Sequence, residues 1–485
     1  MSQPADPLYL AVADDLARLI AAGALPPRSR VPSVRRLARQ RGISNTTAVA
    51  SLRLLEQRGL IEARPKSGYF VAAQRAPLPE PSAVSLPRIA RLAGAQAMLK
   101  RLAEASLNPA LARLGEAIPD PGLFPQAALR ASLARVSRRQ PLQMVAYPRR
   151  MGGSLALRAQ IAAHHARIGM HLDAGELIVT NGCMEALTLA LRAVARPGDT
   201  IAVESPTYFG FLQLVESLGV KVLEIPMHPR EGLSIAALRE LLASRAGRGV
   251  RACMAIPNFS NPTGGALSEA GKRELVRLCR EADIALIEDD IYGDLPLEGA
   301  RPLPCKAFDI DGRVLLCSSF SKTLAPGARI GFLAPGRYRD QLRAVKLVIS
   351  GATAVLAQEM LADYLASGRY ERHLRKLRAR CMQQVTRLSQ CVQDHFPEGT
   401  RLTRPQGGFV LWVELPGDTD TMALYDEASR IGVDFVPGAM FSASGRYGNC
   451  LRLNAGFPFT SATAAAIASL GALLQSGTSS ADASH

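Results

Sequence analysis

One lysine of this chain stands among hydroxyls. Lys322 lies in Cys317-Ser318-Ser319-Phe320-Ser321-Lys322-Thr323-Leu324-Ala325-Pro326-Gly327-Ala328-Arg329, with a Pro-Gly turn and an arginine just beyond it. A lysine amine condenses with a carbonyl cofactor to form a Schiff base. Ser319 and Ser321 offer hydroxyls to a phosphate, and Arg329 offers a guanidinium fork. Such a set suits a phosphorylated aldehyde. Read alone, the stretch is equally a surface Ser/Lys turn between two buried strands, and its surroundings must decide.

Four other stretches could complete such a site. Thr180-Asn181-Gly182-Cys183-Met184 joins a strand to a helix, whose first backbone N–H groups and dipole favour an anion; many αβ units have such a turn. Tyr208, after Glu204-Ser205-Pro206-Thr207, could stack on a flat ring or be an ordinary core tyrosine. Asn261, in Pro257-Asn258-Phe259-Ser260-Asn261-Pro262-Thr263-Gly264, could donate to a phenolate oxygen or belong to a plain Asn-Pro turn. Asp289 follows the apolar run 284–287, where a carboxylate is costly without a positive partner. A pyridinium N–H is such a partner, and protonation there makes the ring an electron sink; the other reading is a helix N-cap acid. Tyr292, three residues on, could reach the ring's phenolic oxygen. Jointly, ending at Lys322, these residues fit pyridoxal 5′-phosphate (PLP).

These residues need a scaffold of alternating strands and helices. Strands are predicted at 176–180, 200–204, 220–225, 251–257, 284–288 and 314–318, with helices at 184–195, 210–218 and 268–282. Alternation at this spacing gives a mostly parallel sheet covered on both faces, with sites at the carboxyl ends of its strands. After Leu342 the chain turns helical, with a basic stretch at 372–380, and residues 407–413 and 450–454 suggest a smaller α+β domain. Residues 477–485 read as a disordered polar tail.

The start of the chain has another organisation. Leu8, Leu10, Val12, Leu16, Leu19 and Ile20 have helical spacing, Pro32-Ser33 opens a second helix, and Ser44-Asn45-Thr46-Thr47 caps a third. Two short strands, 60–63 and 69–71, flank Arg64-Pro65-Lys66-Ser67-Gly68. Helix, helix, tight turn, helix and basic hairpin make a winged helix-turn-helix, its third helix entering the major groove and its wing meeting phosphate or the minor groove. A small interaction domain with merely solvated charges is the bland alternative. Residues 1–75 hold 12 Lys/Arg against 5 Asp/Glu, a net +7 of the chain's +16, which favours a polyanionic partner. Proline-rich 76–81 is a spacer, and 88–114 reads as a docking helix.

At 485 residues, 48% hydrophobic and 21% charged, the chain is globular. The eight cysteines show neither CxxC pairs nor zinc spacing, and read as reduced core thiols with no metal. No secretory signal and no membrane span is expected.

Three resemblances extend this reading. "VPSVRRLARQRGISNTTAVASLRLLEQRGLIEARPKSGYFV" resembles the GntR family of bacterial repressors. That match implies DNA contacts from Ser33, Arg35, Thr46, Thr47, Lys66 and Gly68; Asn45 stands at a contact position where the family usually has arginine, and Arg64 joins the set as a basic residue of the wing. "TNGCMEAL", "ESPTYFG", "NFSNPTG", "EDDIYGDL", "SSFSKTLAPGARIGF" and "LRLN" resemble fold-type I aminotransferases of the kynurenine and 2-aminoadipate branch. This resemblance implies Lys322 as Schiff-base lysine, Asp289 as pyridine-nitrogen partner, Tyr292 and Asn261 on the phenolic oxygen, and Tyr208 stacked on the ring. It further implies Ser319, Ser321, Arg329 and the backbone of Cys183 and Met184 on the phosphate, Tyr147 reaching the neighbouring subunit's phosphate, and Arg452 holding a substrate carboxylate. Arg149 and Arg150 make the site entrance more basic than is usual in that family. The whole chain resembles MocR-type bacterial regulators.

The expected layout is a winged helix at 1–73, linker and docking helix at 74–115, the aminotransferase-like domain at 116–475 (large part about 120–345, small part about 346–475) and a tail at 476–485. The expected function is a cytoplasmic, homodimeric, PLP-dependent regulator binding double-stranded promoter DNA and sensing PLP or an amino compound. An active aminotransferase with an accessory DNA-binding domain is the alternative.

Overall fold

The computed structural model describes residues 8–64, 67–72, 77–84, 104, 107–108, 111–141, 145–148 and 150–481. The chain opens with α1 (Leu8–Ala21), α2 (Val34–Arg41), α3 (Asn45–Gln57), β1 (Ile61–Arg64) and β2 (Gly68–Val71). Ser33 caps α2 by accepting from the Arg36 N–H at 3.4 Å, and Ser44 caps α3 by accepting from the Thr47 N–H at 3.1 Å. Val12, Leu16, Leu37, Leu52, Leu55, Ile61 and Val71 form the module's own core. The antiparallel hairpin pairs Arg64 with Gly68, and the Arg64 guanidinium lies 4.5 Å over the Phe70 ring while bonding Glu62. Lys66 falls outside the described residues. This is the winged helix expected above.

The large domain contains α4 (Gln126–Arg139), α5 (Leu155–Ala166), β3 (Ile178–Thr180), α6 (Cys183–Val194), β4 (Thr200–Ser205), α7 (Phe209–Ser217), β5 (Lys221–His228), β6 (Gly232–Leu233), α8 (Ile235–Ala243), β7 (Val250–Ala255), α9 (Glu269–Glu281), β8 (Ala285–Asp289), β9 (Val314–Ser319) and β10 (Gly331–Ala334). Eight strands form one sheet in the order β3-β10-β9-β8-β7-β4-β5-β6. β5, β4, β7, β8 and β9 run parallel, so their carboxyl ends share one edge. β10 is antiparallel to both β3 and β9, and β6 is antiparallel to β5. Apolar clusters fill both faces.

The chain continues through α10 (Arg339–Ile349), α11 (Val355–Ala366), α12 (Tyr370–His395), β11 (Arg401–Leu402), β12 (Val410–Glu414), α13 (Thr421–Arg430), β13 (Val436–Pro437), β14 (Cys450–Asn454) and α14 (Ser461–Ala481). β11, β12, β14 and β13 make a four-stranded antiparallel sheet over a separate core. All eight cysteines are free and buried, and no described helix is long and apolar enough to cross a membrane.

Three sequence expectations change. The supposed disordered tail from residue 477 is helical through Ala481, because α14 propagates with no proline to stop it. Most of the docking helix expected at 88–114 lies outside the described residues; residues 111–114 are not helical, and Ala112 bridges Val433 instead. The spacer is tied down: the Leu402 N–H donates to Pro79 O at 2.9 Å, and the Ser82 N–H donates to Glu414 at 3.2 Å. The winged helix packs on its own chain. Arg58 approaches Glu298 at 3.8 Å, and Gly59 sits so close to α12 that a Cβ there would meet Thr386 at 2.5 Å.

Candidate active and ligand-binding site

A cavity of about 400 Å³ opens at the carboxyl edge of the parallel strands. Its wall includes Lys322, Asp289, Asn261, Tyr292, Tyr208, Cys183, Met184, Ser321, Arg329 and Arg452. They come from six places in the chain, all on the large domain except Arg452, which the small sheet supplies.

Asp289 ends β8, buried at 3% exposure. Its Oδ1 accepts from the Ile291 N–H at 3.1 Å and the Cys183 thiol at 3.5 Å. Burial still raises its carboxyl to about 6, so a cation beside it would recover the energy of desolvation. Lys322 donates from Nζ to Ala117 O at 2.5 Å. Burial, then the charge of Arg452, pushes its amine down to about 8, which leaves it more often in the nucleophilic form.

The anion end is built on backbone. Gly182 precedes α6 with φ 78° and ψ 178°, a region essentially confined to glycine. A Cβ there would lie 2.6 Å from Arg329 Nη2. Gly182 therefore lets Arg329 reach the open start of α6, whose N-terminal residue has no side-chain cap. Arg329 also approaches the Ser321 hydroxyl at 3.5 Å. Ser319 is not among the lining residues; its Oγ accepts from the Ser321 N–H at 3.2 Å and shapes the turn, which leaves its own O–H to donate.

Buried polar contacts hold the other strand ends. Glu204, at the end of β4, accepts from the Ser260 hydroxyl at 2.7 Å and the Ile256 N–H at 3.1 Å. Those bonds anchor the turn that presents Asn261. Asp290 accepts from Asn258 at 2.7 Å and pairs with Arg301 at 2.6 Å. Tyr292 packs edge-to-face on Phe409, and burial raises its phenol.

Arg452, on β14 of the small sheet, faces the same cavity at 1% exposure. Its Nη1 lies 3.3 Å from Asn261 Oδ1, its Nη2 bonds Gly115 O, and its Nε is buried with no partner. Tyr147 is 94% exposed and does not line this cavity. Of the two arginines beyond it, Arg149 lies outside the described residues, and Arg150 borders separate clefts.

The residues present fit a pyridoxal phosphate. They supply an amine of lowered pKa, a carboxylate lacking a cationic partner, a glycine-dependent anion cradle and an orphaned buried guanidinium N–H. The aminotransferase class I and II model matches residues 133–466. The chain belongs to that family. The gntR family of bacterial regulatory proteins matches residues 8–71, so this aminotransferase-family chain has the MocR-type architecture. It is 38% identical over 467 residues to the uncharacterized HTH-type transcriptional regulator YjiR of Escherichia coli, covering 96% of this chain and 98% of that one. The solved kynurenine aminotransferase of Pyrococcus horikoshii, in complex with PMP, superposes with a TM-score of 0.74 at 29% identity, covering 79% of this chain and 95% of that one. LysN, the α-aminoadipate aminotransferase of Thermus thermophilus solved with N-(5′-phosphopyridoxyl)-L-leucine, gives 0.70 at 26% identity, covering 80% and 96%. The fold class is PLP-dependent in general.

Sequence reasoning missed part of the wall. Residues 115–118 form a strap across the cavity, accepting from Arg452 at Gly115 O, from Lys322 at Ala117 O and from Asn454 Nδ2 at Ile118 O. They act largely through carbonyls, which every residue carries, so side-chain type signals nothing. Phe209, Asp434 and Val436 also line the cavity. Phe209 follows Tyr208 directly and was the one available hint.

Proposed function

We propose that this protein is a PLP-dependent transcription regulator that binds promoter DNA through its winged helix and senses an amino compound at the Lys322 cavity. One observation carries the reading: Lys322, Asp289, Arg329 and Arg452 share one cavity in a chain that begins with a basic winged helix. A DNA-reading module has no role in amino transfer, and YjiR is named a transcriptional regulator over nearly its whole length.

When bound, PLP would supply a carbonyl for the lysine and a ring that withdraws electrons. Lys322 holds it, Asp289 keeps its ring nitrogen protonated, and Tyr292 and Asn261 meet the phenolic oxygen. Tyr208 covers the ring, and Arg329, Ser321 and the start of α6 take the phosphate. Arg452 takes the carboxylate of an amino acid. Tyr147, exposed in one chain, completes the phosphate site of a second copy, so the working unit is a homodimer with two DNA-binding modules.

The strap supplies the link between the two halves. An amino acid that engages Arg452 and frees Lys322 changes the two bonds holding Gly115 and Ala117. Those residues follow directly on the linker from the winged helix. A ligand that alters their bonding biases where the modules sit.

Catalytic turnover is the second reading, favoured by the retention of Lys322, Asp289 and Arg452 in one cavity. Spectral titration of the PLP-loaded protein with amino acids and amines separates the two. A lasting spectral change without keto-acid product supports a sensor. Steady product on adding a keto acid supports an enzyme. No spectral change with any amine overturns both.

A further inference from the structure

The charged groups around the cavity balance in number, but two of them are left without a task, and these two describe a ligand. Its wall carries Lys322, Arg329 and Arg452 against Asp289, Glu116 and Asp434. On the reading proposed above, Lys322, Arg329 and Asp289 are engaged by the cofactor. Asp434 is already committed: the Tyr425 hydroxyl donates to its Oδ1 at 2.9 Å, and Oδ2 is packed against Gly115. Two groups remain. Arg452 is buried with its Nε unpartnered, which asks for an anion. Glu116 sits on the strap between the residues that bond Arg452 and Lys322. It makes no hydrogen bond or ion pair among the described residues, although its charge reaches both Arg452 and Asp434. The same wall also carries the apolar Ile118, Leu187, Phe209 and Val436.

We infer that Glu116 makes this cavity selective for α-amino acids whose aliphatic side chain ends in a cation. The carboxylate meets Arg452, the methylenes lie along Ile118, Phe209 and Val436, and the terminal ammonium or guanidinium meets Glu116. A charge-assisted bond at a partly desolvated carboxylate is worth at least about tenfold in affinity over a methyl group of the same size. The inference rests on the proposed sensing site and names its ligand class.

The test uses the full-length, PLP-loaded protein and its visible spectrum. L-ornithine and L-norleucine have side chains of equal length, ending in ammonium and methyl; L-lysine and L-arginine extend the series. Ornithine or a longer cationic homologue is expected to bind at least about tenfold tighter than norleucine, with the gap closing in Glu116→Gln and turning toward L-glutamate in Glu116→Lys. Equal affinities in the wild type overturn the inference, as does a cationic preference surviving both substitutions. A spectral response to norleucine alone leaves the sensing site standing while Glu116 loses its role. If no amino acid changes the spectrum of the loaded protein, the sensing reading itself fails.

Discussion

Replacing Gly182 with alanine adds one methyl group and removes no polar atom, yet it is expected to cripple cofactor binding. Two costs follow from the geometry. At φ 78° and ψ 178° the backbone is one that only glycine adopts cheaply, so alanine costs about 1–3 kcal/mol of stability. The new Cβ also falls 2.6 Å from Arg329 Nη2, so the guanidinium must leave the mouth of α6. Losing one hydrogen bond to a charged group costs about 1.5–3 kcal/mol, or about 10- to 100-fold in PLP affinity. The assay is titration of apo-protein with PLP, followed by absorbance and by fluorescence quenching, alongside thermal unfolding of the apo form. The expected pattern is a modest loss of apo stability with a large loss of affinity. Wild-type PLP affinity in a folded Gly182→Ala protein would refute the assignment of Arg329 and the α6 start as the phosphate site.

Other outcomes follow from the same geometry. Lys322 is held near pKa 8 mainly by burial, and the free amine is the nucleophile; at pH 7 about a tenth of it is unprotonated, against less than about a thousandth for an ordinary lysine. The rate at which apo-protein takes up PLP is therefore expected to rise with pH and level off above about 8, and an inflection near 10 would contradict this. Arg452→Lys keeps the charge and loses the fork, so α-amino acid affinity is expected to fall at least about tenfold, while simple amines without a carboxylate are unaffected; calorimetry of the loaded protein measures both. Asp289 is raised to about 6 by burial, so the fold binds a proton there that the unfolded chain has released. Apo stability from this group is expected to fall as pH rises from about 4 to 6, and denaturant titration should show that slope vanish in Asp289→Asn. Promoter binding is expected to weaken linearly in log–log salt plots, with a slope near −0.9 per phosphate contact, shallower in Arg64→Ala.

Much of this molecule was legible because period and punctuation agree. The expected parallel strands lie within a few residues of those observed, since each is an apolar run closed by glycine, proline or a polar turn. Asp289 stood out because a carboxylate closing an apolar run has few purposes, Lys322 because it stands among hydroxyls, and Arg452 only through the family resemblance. β10 was hidden: Gly331–Ala334 is four residues long, follows a Pro-Gly turn and runs antiparallel between β9 and β3, so strand–helix alternation gave no cue. The strap at 115–118 meets Arg452, Lys322 and Asn454 through backbone oxygens, which no side-chain type announces. Ser319 carries a local role that its residue type did not announce: its Oγ accepts from the Ser321 N–H and shapes the turn before Lys322. The helical end of α14 carries only small residues, whose composition resembles a tail.

The most direct test of the central claim joins both ends of the chain in one cuvette. Fluorescence anisotropy of the protein's own promoter fragment gives its Kd for the PLP-loaded form at fixed salt, while absorbance reports the Lys322 site as an activating amino acid is added. The DNA Kd is expected to move by about fivefold or more in step with the spectrum, and to stay constant in Lys322→Ala. A spectrum that changes fully while the DNA Kd stays fixed would contradict the coupling of the Lys322 site to DNA.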